Sequence, residues 1–132
     1  MIHSSQLLRR ALLADAVFSG ISAIAMVLDA GALASLLGLP EALLRETGLF
    51  LIAYTALVGW LGSRTLLPKG PVILVVAGNA AWTLASIALL LSGAVSPNLL
   101  GTIVILAQAV ATGVFAELQY VGMRRSGDTV AT

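Results

Sequence analysis

Asp15, Ser19 and Ser22 recur as Asn79, Thr83 and Ser86 at a constant offset of 64 residues, with an aromatic (Phe18, Trp82) just ahead of the first hydroxyl in each copy. Positions spaced by four and seven share one face of an α-helix, so each copy presents a carboxylate or carboxamide and two hydroxyls as a single stripe. Inside an apolar helix such a stripe could hold a proton or a cation, or hydrogen-bond a neighbouring helix. Gln108 and Glu117 add an amide and a second acid within apolar sequence. Glu117 shares a helical face with Ile103, Leu106, Val110 and Gly113, whereas Gln108, Thr112 and Gln119 fall on the opposite one. Two chemistries follow. Asp15 and Glu117 could form a proton- or cation-binding pair, or each could be tied down by a basic neighbour, with Arg9, Arg10, Arg64 and Arg124 as candidate ion-pair partners. Asn79 and Gln108 could hydrogen-bond across helices, and packing is the expected role for that pair.

The elements carrying these groups must be membrane spans. Of 132 residues, 59% are hydrophobic and 10% charged, with a mean hydropathy of +1.04; a soluble domain carries about a quarter charged residues. Too little polar surface is available to cover a globule, which makes lipid the expected solvent and the bilayer the first partner. The apolar runs are residues 11–28, 47–63, 71–91 and 98–121, within one transmembrane domain, followed by a flexible tail at 124–132. Pro68, Gly70 and Pro71 separate the second run from the third, and Pro71 suits a first helical turn. Ser96-Pro97-Asn98 predicts a cap before the fourth helix, and Pro40 predicts the start of the second, with Glu41, Arg45 and Glu46 at the membrane surface. Asp29 to Leu39 reads as a helical extension or an interfacial helix, its small residues Ala30, Ala34 and Gly38 spaced for close contact. The first run could be a secretory signal, but its 18 residues exceed the usual apolar core of about 7–15.

Arg9, Arg10, Arg64, Lys69, Arg124 and Arg125 fall on one side of a four-span layout and only Arg45 on the other. That asymmetry predicts a bacterial inner-membrane protein with both termini cytoplasmic. The arginines just before Asp15 favour a shallow, snorkelling carboxylate, yet Lys69 precedes Asn79 by ten residues, and copies of one site should sit at one depth. Beyond the polar stripe the match continues at an offset of 63, with Ile24-Ala25 against Ile87-Ala88 and Val58-Gly59 against Val121-Gly122. The predicted fold is therefore all-α, four transmembrane helices as two tandem helical hairpins in parallel repeat about an axis along the membrane normal. Tyr54, Trp60, Trp82 and Tyr120 are too scattered for a cofactor box, and Trp60 and Tyr120 read as interface anchors.

Cysteine is absent and His3 is the one histidine, so thiol chemistry is excluded and no metal or other cofactor is expected. Phosphate loops and catalytic triads are absent, and no basic run suits nucleic acid. The plan resembles the small four-helix bacterial inner-membrane proteins, including the DoxX-like group, in an Arg at the start of the first span, a long outer segment and a second span led by a charged helix. The resemblance is one of topology and implies no particular functional residue. The small multidrug transporters share four short spans and a first-helix acid, but this chain lacks their Trp- and Tyr-rich pattern. The first functional expectation is a non-enzymatic accessory or assembly subunit, packing as a homo-oligomer or within a larger membrane complex. A small transporter or channel for a proton, cation or small hydrophobic solute is the alternative, and a quinone- or lipid-binding subunit a further one.

Overall fold

The fold is that of a computed structural model, which describes residues 2–128. In chain order its elements are β1 (Ile2–His3), α1 (Gln6–Leu28), α2 (Ala30–Leu37), α3 (Glu41–Ser63), β2 (Leu66–Leu67), α4 (Lys69–Ser92), α5 (Leu99–Arg124) and β3 (Gly127–Asp128). The expected all-α architecture is present, with four helices long and apolar enough to cross a membrane and a short fifth, α2. The long helices have 23, 23, 24 and 26 residues, about 34–39 Å at 1.5 Å per residue against a hydrocarbon core of about 30 Å. They extend past the apolar runs, so Arg9 and Arg10 lie within the first turns of α1.

Each helix boundary has a local cause. Ser5 caps α1, its Oγ accepting from the Leu8 amide at 3.1 Å while donating to the Gly122 carbonyl of α5 at 2.7 Å. Pro40 and Pro68 precede α3 and α4 in extended conformation. Gly38 ends α2 in the left-handed region at φ 71°, where a Cβ would be strained. The cap expected at Ser96 is instead Asn98, whose Oδ1 accepts from the Gly101 amide at 2.8 Å. Its Nδ2 donates to the Leu36 carbonyl at 2.7 Å and its backbone N–H to the Leu37 carbonyl at 3.1 Å, which ties α5 to the open carbonyls at the end of α2. Asn98→Ala is expected to cost about 1–2 kcal/mol in cap loss alone. Asn98→Asp, which keeps the cap but loses the Leu36 bond, should fall between it and the wild type in thermal unfolding.

α3 packs along α1, α1 along α5, and α5 along α4; α3 and α4 barely approach one another. The bundle is thus an open ring in the order α3-α1-α5-α4, with a cleft where the ends would meet. At one end β1 and β3 join the α3–α4 connection in a small sheet of order β2-β1-β3, antiparallel throughout, with Ile2 opposite both Leu67 and Asp128. His3, near the start of the chain, is therefore part of β1, and Gly127–Asp128 pair with it, while residues 129–132 of the expected tail lie outside the described residues. Arg9, Arg10, Arg64, Lys69, Arg124 and Arg125 all belong to this end, and Arg45, bonded to Glu41 one turn away, to the other. An apolar core closes each end: Leu8, Leu12, Val58, Leu61, Leu67, Val72 and Val75 beneath the sheet, and Ala30, Leu37, Leu39, Leu44 and Ile105 at the far end. Outward faces stay apolar, with Ile21, Leu84 and Leu91 exposed.

Candidate functional site

Between the two apolar cores lies a polar layer built on Asp15, which has no exposed surface. Ser19, one turn along α1, donates to Asp15 Oδ1 at 2.9 Å. Three other helices supply Oδ2: Tyr54 Oη of α3 at 2.8 Å, Asn79 Nδ2 of α4 at 2.9 Å and Gln119 Nε2 of α5 at 2.8 Å. Asn79 Nδ2 also donates to Gln119 Oε1 at 2.9 Å, closing a ring of three side chains. Asp15 is thus a four-helix junction held by neutral donors. The arginine pairing expected for Asp15 does not form: Arg9 and Arg10 are exposed on the first turns of α1, and among the described residues the one salt bridge is Arg45–Glu41. Asp15 lies nine residues into α1, about 13 Å from its start, and Asn79 ten residues into α4, so the two helices run in step and the two side chains meet.

The remaining residues of the stripe separate into a second layer. Thr83 donates to the Ala109 carbonyl at 2.9 Å and lies 2.7 Å from Thr112 Oγ1. Gln108 accepts from Trp82 Nε1 at 2.9 Å and donates to Ser86 at 3.2 Å. Ser22 turns back to the Phe18 carbonyl at 2.9 Å. The expected Asn79–Gln108 bond does not form, because α4 and α5 run antiparallel. Asn79 therefore meets Gln119, and Gln108, about three turns away on α5, meets the Ser86 end of α4.

Glu117 and Asp15 are not brought together. Glu117 is exposed on the outer side of α5, beside a shallow groove that includes Thr83, Ala109 and Gly113, whereas Gln119, two residues on, faces inward. Arg64 lies over the Trp60 ring, 5.1 Å from its centroid, and Arg124 donates to Tyr120 Oη at 3.2 Å; neither reaches Glu117. Each pairs a cation with an aromatic ring at the sheet end of the bundle.

The cleft between α3 and α4 has a volume of about 670 Å³, within the range of small-molecule sites, about 300–1,000 Å³. Phe18, Met26, Leu51, Leu57, Leu74 and Val104 are among its apolar walls, and Ser19, Ser22, Tyr54, Asn79, Gln108 and Thr112 bring polar atoms to its floor. Asp15 itself is not on the lining; it stands behind Ser19, Tyr54 and Asn79. Phe50 of α3 and Trp82 of α4 stack across the cleft nearly parallel, centroids 6.0 Å apart at 4°, and Phe50 also stacks on Tyr54 at 6.4 Å. Aromatics that look scattered in the sequence therefore converge here. Sequence reasoning overlooked Tyr54 and Phe50 as site residues and left Gln119 as a face-sharing neighbour; only Gln119 carried a signal, its helical register with Gln108 and Thr112.

What this arrangement can do is hold a largely apolar molecule sideways between two helices, with its polar end against the Asn79 layer. It offers no nucleophile–base pair among the lining residues. Comparison with known proteins gives no match to a family model, to a curated protein or to a solved structure, so the likeness to the DoxX-like group rests on topology alone.

Proposed function

We propose that the protein is a four-span integral membrane protein that takes a small, largely apolar molecule from the lipid into the α3–α4 cleft and holds it there without transforming it. The single observation that carries this reading is the cleft itself: about 670 Å³, walled by apolar side chains and floored by a few convergent polar ones, the combination typical of ligand sites. The accessory role expected from composition fits the same picture, as a ligand-holding subunit of the inner membrane with both termini in the cytoplasm. Asp15 serves as the junction that sets the floor of the cleft. We further propose that the two hairpins arose by duplication. Under a twofold axis relating them, the closed α1–α5 seam corresponds to the open α3–α4 one, so the cleft is the copy of a packing seam left unsealed.

Gly78 provides the test. It lines the cleft, and a Cβ placed there meets nothing within 4 Å, so Gly78→Leu should project into the cleft and obstruct it without disturbing the bundle. Leucine also favours a helix over glycine, by somewhat less than the ~0.8–1.0 kcal/mol that separates alanine from glycine. The expected result is that apolar small molecules or lipids retained by purified wild-type protein, identified by mass spectrometry, are missing from Gly78→Leu while its thermal unfolding is unchanged or raised. Wild-type protein that retains nothing, or a Gly78→Leu variant that retains the same molecules, would rule the cleft out as a binding site.

A further inference from the structure

The cleft presents hydrogen-bond acceptors and almost no free donors. Ser19 and Tyr54 each spend their one hydroxyl proton on Asp15, and Ser22 spends its proton on the Phe18 carbonyl. Each hydroxyl has one proton and two lone pairs, so what these three can offer a ligand is lone pairs. Asn79 carries the pattern further. It is 3% exposed, and both of its polar contacts are donations from Nδ2, to Asp15 and Gln119. Its Oδ1 accepts no hydrogen bond from the described residues, yet it is not sealed in the interior, and Asn79 lines the cleft.

The amide cannot simply turn over to relieve this, because a flipped Asn79 would point its oxygen at the Asp15 carboxylate and at Gln119 Oε1. Asp15 thus acts as a positioning residue: by accepting from Nδ2 it dictates that Asn79 meets the cleft with oxygen. A spare N–H on Gln108 Nε2 is the exception, since one of its two protons goes to Ser86.

We infer that the molecule held in the cleft is a neutral alcohol or phenol, an apolar body ending in a hydrogen-bond donor, and that its hydroxyl donates to Asn79 Oδ1. This rests on the ligand-binding reading above and narrows it. A quinone, ketone, ester or ether brings acceptors only; it would set oxygen against oxygen at Asn79 and leave Oδ1 without a partner, whatever it accepted from Gln108. An ammonium brings donors, but no charged residue lines the cleft to pair with it, and the Asp15 carboxylate behind the floor is screened from it by the four donors it already accepts from.

The test compares dodecanol with its isomer undecyl methyl ether, which have the same heavy atoms and differ in whether the oxygen carries a donor proton. Binding is read by native mass spectrometry and by the emission of Trp82 in a Trp60→Phe background, with Gly78→Leu as the blocked control. One neutral hydrogen bond corresponds to about two- to tenfold in affinity, and dodecanol is expected to bind tighter than the ether by that factor. Asn79→Leu should abolish the preference. Ser22→Ala, which leaves the partners of Asp15 untouched and removes an acceptor that the ligand's single proton does not use, should keep the preference, so its loss in Asn79→Leu is not a general effect of altering the floor. Equal binding of both probes at the cleft, or tighter binding of the ether, overturns the donor assignment and leaves the cleft as a binding site. If neither probe exceeds the Gly78→Leu control, the binding reading falls as well.

Discussion

Asp15→Ala is expected to unfold far more readily than any change on the outer faces, and more readily than Asp15→Asn. Alanine removes the acceptor for Tyr54, Asn79 and Gln119 together, one group from each of the other three long helices. Interhelical hydrogen bonds in membrane proteins are worth about 0.6–1.7 kcal/mol each, so three amount to about 2–5 kcal/mol. Asn79 and Gln119 can still bond one another, which places the expected loss in the lower half of that range. Asparagine at position 15 behaves differently, because the two carboxylate oxygens have unequal duties. With its carbonyl in the place of Oδ2, it keeps all three interhelical bonds. Its amide then replaces Oδ1 and faces only Ser19, whose hydroxyl can turn and accept. A loss of about 1 kcal/mol is expected for Asp15→Asn. Detergent-solubilised variants compared by thermal or denaturant unfolding would show it. Equal damage from both changes, or none from alanine, would mean that Asp15 is not the junction of the bundle.

The second large effect is expected at Gly122, where α5 crosses the start of α1. A Cβ on Gly122 would lie 2.6 Å from the Leu8 backbone nitrogen and 2.7 Å from its Cα. Backbone atoms cannot rotate aside as a side-chain tip can, so even alanine must push the helices apart. Overpacking of this kind costs about 1–3 kcal/mol, and valine should exceed alanine. Separation there also lengthens the Ser5–Gly122 bond, now 2.7 Å, and loosens the sheet end. Gly59 is the matching control: its Cβ would meet only Ala16, at 3.9 Å, so Gly59→Ala is expected to be neutral or mildly stabilising. If Gly122→Val unfolded at the wild-type temperature, the tight α1–α5 crossing would be wrong.

Much of this architecture is legible in the residues. Four long apolar runs announce the helices, prolines and Asn98 mark their starts, and the 64-residue spacing of Asp15 and Asn79 picks out two side chains that do touch. Arg9 and Arg10 fall within the first turns of α1, which begins at Gln6, and Asp15 and Asn79 stand at nearly matching places along their helices. Other features leave no trace. Tyr54 stands beside Thr55 in an apolar run and belongs to no periodic pattern. Phe50 and Trp82 are 32 residues apart, and their stacking depends on which helices pack, information that no single helix carries. The cleft follows from α3 and α4 failing to close, which no local preference specifies. Strands of two residues are shorter than any alternation that could reveal them.

The partners of Asp15 are spread along the chain, and they become available in a fixed order during synthesis. Ser19 is present as soon as α1 is made, Tyr54 arrives with α3, Asn79 with α4 and Gln119 only with α5. A buried Asp at the centre of a lone span is disfavoured by about 2.5–3.5 kcal/mol on insertion scales, so each later helix would relieve a burden left by the first. β1 follows the same schedule: it waits for β2 and then for β3, joining residue 2 to residue 128. A chain halted before α5 lacks both the last donor and the closing strand. Completion of the bundle is thereby coupled to the synthesis of α5 and β3, and a chain interrupted before them carries a carboxylate short of one of its donors.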